Sequence, residues 1–432
     1  MIDCIRRRRL VLNWCLYCFQ SNALFVINNP GIKIMIFLLK KIFNKISNSL
    51  IAVILSPIIL IVILLKPIVL IRFGVIDASR IGHICISVGY IIDKKNCMAN
   101  NKKMIDVISI SSVVCNQSLI NIIKREIRTF LPSFFTYRLI KLAHTMTGNN
   151  EHEIRFPIEK LQLLHTYKTP LRLNNYEDSK GKELLHGLGI PDDSKWICIH
   201  NRDSAYLDKM YSKINWDYHK FRDFEINSLE IAAEMLSSKG YYILRMGAIT
   251  KEPFKTNNKK IIDYANHKNR SDIGDIYLMS NCELYLGSDA GIFTLATIFN
   301  RPYSLINFTS PSQLVDKYSQ NPIPFIIKHV WSEIEGRCLS IREIFNIGLF
   351  KPNYNNDFID ANVKLISNTS EEISDLAGEV VDRVNGTWID DNMDLELQKR
   401  FWMIFHELGF EISNIKTRIG SSFLRKNIYL LE

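Results

Sequence analysis

The chain has 432 residues, of which 47% are hydrophobic and 23% are charged, and this is the composition of a folded globular protein. Its length favours two domains over one. The net charge of +10 is concentrated at the N-terminal end, where residues 1–80 carry +9 and the rest of the chain carries +1. A protein that binds nucleic acid would spread basic residues over its folded surface, so this distribution argues against a nucleic-acid partner.

The basic N-terminal end also holds the most apolar stretch of the chain. Leu50–Leu65 has no charged residue, but it is shorter than the roughly 20 residues that a membrane span needs. Ile34–Lys45 has the lysines and apolar residues of an amphipathic helix that lies at lipid headgroups. We therefore expect a membrane-associated segment that spans the membrane or lies in its interface, with an anionic membrane surface as a partner. A pair of buried core helices is the alternative.

The nine cysteines suit a reducing compartment. Several lie inside apolar runs, where a free thiol behaves as a small hydrophobic group. Cys15 and Cys18 have the C-x-x-C spacing, but the sequence has no second pair of cysteines or histidines at metal-ligand spacing. The sequence therefore predicts no zinc site.

From Pro67 onward, short apolar strands alternate with amphipathic helices, which is typical of a mostly parallel sheet covered on both faces. The first unit has predicted strands at Ile68–Ile76 and Ile105–Ile110 and a predicted helix at Gln117–Ile127. A polar segment with several glycines, Tyr176–Ser194, predicts a domain junction.

The segment after this junction repeats the alternation. Its predicted strands are Trp196–His200, Tyr241–Met246, Glu283–Leu286 and Tyr303–Asn307. The predicted helices between them are Ser228–Lys239, Ile273–Asn281 and Ile292–Phe299. Two C-terminal helices follow, Glu371–Val384 with Ser370 as its N-cap and Leu395–Leu408 with Asp394 as its N-cap.

The expected fold class is α/β, with two Rossmann-like doubly wound domains, an N-terminal membrane-associated helical segment and C-terminal helices. The predicted boundaries are 1–66 for the N-terminal extension, 67–175 for the first Rossmann-like domain, 176–194 for the linker, 195–410 for the second Rossmann-like domain and 411–432 for a C-terminal helical segment.

Ligands of open α/β sheets bind beyond the carboxyl ends of the strands. The residues directly after each predicted strand are therefore the candidates for a site. Four of these segments are rich in polar residues and glycines: Ser79–His83 with Arg80 and Gly82, His200–Tyr206 with Arg202 and Asp203, Arg245–Gly247, and Gly287–Gly291 with Ser288 and Asp289.

Two of these segments predict a site for a diphosphate. The small residues of Gly287–Gly291 let the backbone approach an anion, and the following helix points its free N–H groups toward it. Capping of this helix by Ser288 or Asp289 is the alternative. Arg202 would meet the same anion through a bidentate contact, together with His200 and Arg245. A salt bridge from Arg202 to Asp203 or another acid is its alternative role.

These segments resemble a family of bacterial glycosyltransferases linked to surface-carbohydrate gene clusters. The resemblance extends from about residue 60 to the end. It is carried by Ile71–His83 (IRFGVIDASRIGH), Ile199–Tyr206 (IHNRDSAY), Gly240–Gly247 (GYYILRMG), Ser271–Gly291 (SDIGDIYLMSNCELYLGSDAG) and Arg418–Asn427 (RIGSSFLRKN). More distantly, His200–Asp203 is similar to the H-x-R motif of inverting fucosyltransferases, whose arginine contacts the donor diphosphate, although the second arginine and the glycine of that motif are missing.

The resemblance implies an enzyme of the GT-B type, in which two Rossmann-like domains face a cleft, with the acceptor in the first domain and a nucleotide-sugar donor in the second. Its implied function is the transfer of a sugar to a cell-surface polysaccharide or glycolipid acceptor. Its implied location is the cytoplasmic face of the inner membrane, as a peripheral or single-span protein.

No D-x-D triplet occurs in the sequence, so the usual manganese-binding signature of the other glycosyltransferase architecture is missing. Cationic side chains and helix dipoles would then stabilise the departing diphosphate. We therefore expect no metal site and no cofactor, since the nucleotide-sugar is a substrate.

The first domain of such an enzyme would supply a base for the acceptor hydroxyl. His83 is our candidate, because histidine titrates near neutral pH. Asp203 is the reserve base, and a purely structural histidine beside Gly82 is the alternative. Arg80 would hold an acidic group of the acceptor or part of the donor. The donor would be held by His200, Arg202, Arg245, Gly247 and the Gly287–Gly291 loop.

Other functions fit the same residues. One is a non-catalytic scaffold that binds sugar nucleotides at a polysaccharide assembly site, and another is a GT-B-like sugar-nucleotide epimerase. A Golgi enzyme with a lumenal catalytic domain is a further alternative, because the chain has N-x-[ST] sequons at Asn116, Asn269, Asn307, Asn368 and Asn385.

Overall fold

The computed structural model describes residues 51–97, 103–129, 131–156, 171–316, 318, 320–352 and 354–432. These residues form two compact units. The first comprises the described parts of Met1–Phe73, Lys102–Asp106 and Phe134–Glu153, and the second those of Gly74–Asn101, Val107–Ser133 and Ile154–Glu432. The domain boundaries given above stay a prediction.

Helices and short strands alternate along most of the described chain, which confirms the α/β class. The helices are α1 (51–65), α2 (Ile81–Cys97), α3 (Gln117–Lys124), α4 (Ser133–Thr147), α5 (Asn175–Gly187), α6 (Ala205–Met210), α7 (Glu230–Ser238), α8 (Asp272–Asn281), α9 (Phe293–Ile298), α10 (Ser312–Asp316), α11 (Ile341–Asn346), α12 (Asn355–Asp360), α13 (Ser370–Val384), α14 (Asn392–Glu407) and α15 (Ser421–Lys426). The strands are β1 (Leu70–Ile76), β2 (Met104–Ile110), β3 (Trp196–His200), β4 (Tyr242–Arg245), β5 (Ile261–Ile262), β6 (Leu284–Gly287), β7 (Tyr303–Leu305), β8 (Pro324–Phe325), β9 (His329–Ser332), β10 (Arg337–Cys338), β11 (Val363–Ile366) and β12 (Arg418–Ile419).

Five parallel strands form the main sheet, in the spatial order β5-β4-β3-β6-β7. The chain begins at the central strand β3, adds β4 and β5 on one side, and then returns to add β6 and β7 on the other. This is the doubly wound order that the sequence predicts for the second Rossmann-like domain. The connections that follow β3 and β6 leave in opposite directions, which opens a crevice at the carboxyl ends of these two strands.

Burial on both faces explains the composition of these strands. Four of the five residues of β3 and all four residues of β6 are buried, and a parallel strand covered by helices needs such an unbroken apolar run. Helix α7 packs against α13, and α2 packs against α9. Burying a Leu or Ile side chain in such a core contributes about 1.5–3 kcal/mol.

Strands β1 and β2 form a separate two-stranded sheet. They run in the same direction, since the N–H of Leu70 donates to Lys103 O at one end and the N–H of Ser111 donates to Ile76 O at the other. Parallel bridges between Phe73 and Glu153 and between Ile108 and Thr129 add to the two strands. A complete first Rossmann-like domain that faces a cleft stays a prediction, and so does the GT-B arrangement.

The predicted domain junction, residues 176–194, contains helix α5. Its N-terminus is a capping box in which the side chains of Asn174 and Glu177 each accept from the backbone of the other residue. Gly181, which favoured a loop in the sequence, instead permits close packing, because a Cβ at this position would collide with the ring of Tyr277.

The N-caps of the two C-terminal helices differ from the predicted residues. Thr369 caps α13, so the prediction of Ser370 is wrong. Asp391 caps α14 and accepts from the N–H of Asp394, so the prediction of Asp394 is wrong as well. In both cases the helix begins earlier than its apolar pattern does.

Helix α1 covers most of the stretch that predicts a membrane anchor. Its side chains at Leu55, Ile59 and Val62 are buried, whereas those at Val53 and Leu64 are more than two-thirds exposed. Within the described ranges, the structure has no helix whose length and hydropathy would let it cross a membrane. Ile34–Lys45 and the Cys15/Cys18 pair lie outside the described residues, and the membrane association stays a prediction.

Three of the five sequon asparagines are buried. Asn116 caps helix α3 by accepting from the N–H of Leu119. The side chains of Asn307 and Asn368 accept hydrogen bonds from each other's backbone N–H groups. A glycan on any of these three residues would require the core to open, so only Asn269 and Asn385 are left as sequons that could support the Golgi alternative.

Candidate active site

A cavity of about 490 Å³ lies at the carboxyl ends of β3, β4 and β6, within the second unit. His200 ends β3 and residues 201–203 follow it, residues 247–250 follow β4, and residues 289–292 follow β6, and all of them line the cavity. Residues 80–83, at the start of α2, form a further wall. The cavity therefore occupies the place where a doubly wound sheet binds its ligands.

His83 and Asp77 form a hydrogen-bonded pair at the start of α2. His83 Nδ1 lies 2.6 Å from Asp77 Oδ2, and Asp77 Oδ1 accepts from the backbone N–H of Ser79 at 3.0 Å. Burial acts to raise the pKa of Asp77, but the hydrogen bonds from Ser79 and His83 together leave that pKa below its usual value. The ionised carboxylate can only accept, so neutral His83 carries its proton on Nδ1 and its lone pair on Nε2. A general base needs this state.

The loop after β6 presents three unused backbone donors. The N–H groups of Asp289, Ala290 and Gly291 donate to no group in the described part of the chain, and these three residues line the cavity. Ile292 is the N-cap of α9 and no side chain caps this helix, so the alternative of a cap by Ser288 or Asp289 is wrong.

Gly287 and Ser288 do not line the cavity. A Cβ on Gly287 would collide with the carbonyl oxygen of His200 on the adjacent strand. Ser288 Oγ lies 3.2 Å from His200 Nδ1, and the carbonyl of Ser288 accepts from the hydroxyl of Tyr285 at 2.9 Å. Of the predicted anion-binding segment Gly287–Gly291, only residues 289–291 can contact a ligand, and we call these three residues the anion cradle. Gly287 and Ser288 are interior residues that hold the cradle in position.

Arg202 is buried and paired. Its Nη1 forms a salt bridge with Asp223 and donates to the carbonyl of His219 at 3.1 Å. Burial lowers the pKa of Arg202 to about 10, so the group remains charged at neutral pH. Arg202 thus makes the salt bridge that was its alternative role, with Asp223 as the acid. Both carboxylate oxygens of Asp203 accept from backbone N–H groups, those of Ala205 and Lys251.

His200 has no positive charge to offer an anion. Burial, with the nearby charges of Arg245 and Arg202, lowers the pKa of His200 to about 3. The imidazole is therefore neutral at the pH of a cell, and any contact it makes with a diphosphate is an uncharged hydrogen bond.

Arg245 lies below the cavity and does not line it. Its guanidinium donates to Asp263 Oδ1 at 3.1 Å and to Asn201 Oδ1 at 3.2 Å, and only 1% of the residue is exposed. Arg245 pairs with Ile199, one residue before the end of β3, so its side chain belongs to the interior of the sheet. This corrects its predicted direct contact with the donor, and we assign Arg245 to the positioning of Asn201.

Two other arginines of the cavity have guanidinium groups available for a ligand. Within the described residues Arg222 Nε has no hydrogen-bond partner, and Arg222 Nη1 forms a long salt bridge with Asp289 Oδ2 at 3.7 Å. Arg80 donates no hydrogen bond and makes no ion pair within the described ranges, and its Cζ lies 5.8 Å from the ring centroid of Trp216. The cation–π contact holds Arg80 in place without using its N–H groups.

Lys328 fixes the segment that carries Arg222. Its buried amine donates to the carbonyl of Phe221 at 3.1 Å and to the carbonyl of Asp223 at 2.7 Å. Burial lowers the pKa of Lys328 to about 8. The backbone on both sides of Arg222 is therefore tied to the core.

Most of the predicted site residues meet in this cavity. Those that line it are Arg80, Gly82, His83, His200, Arg202, Asp203, Gly247, Asp289 and Gly291. Sequence reasoning missed Asp77, Arg222 and Asp275. Asp77 directly follows a predicted strand, so its position was a usable signal, and Asp275 lies in the first turn of a helix, where an acid is ordinary. Arg222 lies in a 3₁₀ segment with no periodic pattern and gave no signal.

In the described ranges, no group of three or more His, Cys, Asp or Glu side chains could hold a metal ion. Metal independence of the reaction stays a prediction.

Comparisons with known proteins give distant structural neighbours. No protein-family model and no curated protein matches the chain. The chain is similar to ADP-heptose LPS heptosyltransferase II of E. coli, with a TM-score of 0.33 and 11% identity over 60% of this chain and 90% of that one. It is also similar to a family 9 glycosyltransferase of Veillonella parvula, with a TM-score of 0.33 and 11% identity over 56% and 82% of the two chains.

A third similar structure is the E. coli heptosyltransferase WaaC with ADP-2-deoxy-2-fluoro heptose, with a TM-score of 0.26 and 11% identity over 67% of this chain and 99% of that one. These neighbours are glycosyltransferases. With TM-scores below 0.5 and 11% identity, all three are distant neighbours.

Proposed function

We propose that the protein is a glycosyltransferase that moves a sugar from a nucleotide-sugar donor to a cell-surface polysaccharide or glycolipid acceptor, without a divalent metal ion. One observation carries this proposal. The same cavity contains a base, His83 oriented by Asp77, and unused donors for an anion on Arg222 and on residues 289–291. Transfer from a sugar diphosphate requires both functions at once.

In the proposed reaction, His83 Nε2 takes the proton of an acceptor hydroxyl. The acceptor oxygen attacks the anomeric carbon, a new C–O bond forms, and the bond from that carbon to the diphosphate oxygen breaks. The nucleoside diphosphate leaves with the electron pair of that bond, and Arg222, Arg80 and the three free N–H groups stabilise its charge. A single displacement of this kind inverts the configuration at the anomeric carbon.

Arg202 and Asp203 have supporting roles in this proposal. Arg202 forms a salt bridge with Asp223, the residue after Arg222, and so fixes the position of the segment that carries Arg222. Its positive charge also adds to the electrostatic attraction that a diphosphate meets in the cavity. Asp203 is a weaker candidate base than His83, because both of its oxygens are occupied by backbone donors. Arg80 keeps its alternative role toward an acidic group of the acceptor.

The proposal places the protein at the cytoplasmic face of the inner membrane, as a peripheral or single-span protein. Two features support this: residues 1–80 carry +9, and α1 has exposed apolar side chains. Sedimentation of the full chain with vesicles tests it. We expect binding to vesicles that contain an anionic lipid and weak binding to neutral ones, and no binding to either would contradict this location.

A transfer assay on the full chain tests the proposed activity. UDP-, GDP-, CMP-, dTDP- and ADP-sugars are each incubated with and without a glycolipid extract of the native host, and released nucleotide and transferred sugar are measured. We expect one donor to be consumed in the presence of acceptor, EDTA to have no effect, and His83→Ala to lower the rate about 10²–10⁴-fold.

The same assay separates the other functions. Binding of a sugar nucleotide with no consumption would favour a scaffold, and release of nucleotide without any acceptor would favour an epimerase. A strict requirement for manganese would contradict the metal-independent mechanism.

A further inference from the structure

Asp275 places an unused carboxylate oxygen at one end of the cavity. It lies in the first turn of α8, lines the cavity and is 4% exposed. Its Oδ2 accepts from Arg270 Nη2 at 2.6 Å, and Arg270 is itself held by donating from Nε to the carbonyl of Gly247 at 2.8 Å. Asp275 Oδ1 is buried and has no hydrogen-bond partner in the part of the chain that the structure describes. One oxygen is thus fixed in orientation, and the other is left for a ligand.

Burial raises the pKa of Asp275 to about 7, while the charge of Arg270 acts to lower it, so at pH 8 the carboxylate is mostly ionised and its missing partner must be a donor. A buried acceptor without a hydrogen bond is unfavourable, so native structures nearly always supply one. A phosphate oxygen cannot do so, because it carries negative charge and no proton. The group that meets Asp275 is therefore an N–H or O–H of an uncharged part of the ligand.

The surroundings of Asp275 favour a flat, weakly polar group. Cys115 and Tyr206 line this end of the cavity, and burial raises the pKa of each to about 12, so both are uncharged. Ala248 and Ile249 add apolar surface. Pockets with apolar walls and a small number of oriented polar groups bind aromatic ligands and select them by those polar contacts.

Building on the proposed nucleotide-sugar donor, we propose that Asp275 recognises the base of the donor nucleotide by accepting a hydrogen bond from a ring N–H. Guanine, uracil and thymine have such a ring N–H at their pairing edge, whereas the corresponding ring nitrogen of adenine and cytosine is an acceptor. Two acceptors that face each other leave both unpaired, and sites built to bond a donor group reject analogues that lack it. Asp275 thus selects for a GDP-, UDP- or dTDP-linked sugar.

Calorimetric titration of the full chain with GDP, UDP, ADP and CDP at pH 8, where Asp275 is mostly ionised and can only accept, tests this selection. We expect GDP or UDP to bind at least about tenfold more tightly than both ADP and CDP. Asp275→Asn, which has nearly the same shape but one acceptor atom fewer and no charge, should remove this preference. Asp272→Asn is the matched control, since it removes a charge from the same turn of α8 at a residue that does not line the cavity.

Methylated ligands repeat the test without changing the protein. The preferred nucleotide is compared with its ring N-methyl form, 1-methyl-GDP or 3-methyl-UDP, which lacks only the donated proton and adds a methyl group. We expect a loss of at least about tenfold in affinity. This comparison decides the question even if Asp275→Asn does not fold.

The outcomes separate this inference from the proposed function. If none of the four nucleotides binds, the proposed glycosyltransferase function itself is contradicted. If all four bind equally, or if the folded Asp275→Asn variant and the methylated ligand keep full affinity, the role of Asp275 is overturned and the proposed function stands.

Discussion

The backbones of Gly82 and Gly291 are in direct contact at the wall of the cavity, with no side chain between them. A Cβ built on Gly82 would lie 3.0 Å from Gly291 Cα, and one built on Gly291 would lie 3.1 Å from Gly82 N. Gly82 immediately precedes the candidate base His83, and Gly291 carries one of the three free N–H groups. The contact therefore fixes the distance between the base and the anion cradle.

Gly291→Ala tests this contact. The methyl group would force the start of α2 away from the loop after β6, so we expect a loss of about 1–3 kcal/mol in the free energy of unfolding and a loss of more than about tenfold in transfer rate. Gly378→Ala is the control, because its Cβ would meet no atom closer than 3.9 Å and it lies inside helix α13. That change should stabilise the protein by about 0.5–1 kcal/mol. Equal melting temperatures for the two variants would argue against a tight contact.

Asp77→Asn should keep the imidazole of His83 in place but change which of its ring nitrogens carries the proton. An amide can donate to Nδ1, which moves the imidazole proton to Nε2 and removes the lone pair from the side that faces the acceptor. We expect kcat to fall at least about tenfold with little change in KM for the donor. The matched control is Asp192→Asn, because Asp192 forms an exposed pair with His186 at 2.7 Å. If the rate for Asp77→Asn equals that of the control, the hydrogen bond between His83 and Asp77 is not needed for the reaction.

Arg222 and Arg202 should behave differently when each is changed to alanine. Arg222 has an unpartnered Nε and only a long salt bridge, at 3.7 Å to Asp289, so Arg222→Ala should weaken nucleotide binding by about 1.5–3 kcal/mol and change the melting temperature less than Arg202→Ala does. Arg202→Ala leaves Asp223 without its salt bridge and should lower both stability and activity. Titration calorimetry and thermal melting on both variants measure this. If only Arg202→Ala weakened binding, Arg202 would be the diphosphate contact.

The lowered pKa of His200 should make the free energy of unfolding decrease as the pH falls. Its pKa is about 3 in the folded protein and about 6.5 in an unfolded chain, so the unfolded state takes up the proton first as the pH falls. The stability that neutral His200 contributes is fully present above about pH 6.5 and is lost between there and pH 3. Urea unfolding of wild type and His200→Gln at pH 7.5 and pH 5 measures it. We expect the difference in free energy of unfolding between wild type and variant to shift in favour of the variant by about 2 kcal/mol at pH 5, and an unchanged difference would show that the pKa of His200 is not lowered in the folded protein.

The strands of the main sheet could be predicted closely because burial leaves a simple signal. Trp196–His200 was predicted with the bounds that the structure has, since an apolar run before a polar strand end has few other interpretations. The position of the site followed from the same rule, because side chains after β3, β4 and β6 converge wherever the sheet is parallel. Helix ends were less predictable, as the caps at Thr369 and Asp391 lie outside the apolar pattern.

The chemical roles of individual arginines could not be predicted from sequence. Arg245 is the last residue of an apolar strand and points into the core, whereas Arg202 lies two residues after the end of another strand and is paired with Asp223 from a distant segment. Arg222 lies where the chain has only 3₁₀ turns, so its entry into the cavity depends on tertiary contacts that no local pattern encodes. Register and long-range pairing decide such roles.

Lys328, 107 residues after Phe221 in the chain, donates hydrogen bonds to the carbonyl groups of Phe221 and Asp223, on either side of Arg222. The arginine that we assign to the donor is thus ordered before any donor arrives, so little conformational freedom remains to be lost on binding. Affinity for the donor would then be tunable from a site that never touches it. A substitution at residue 328 would change how well the protein holds its substrate by loosening the loop rather than by removing a contact.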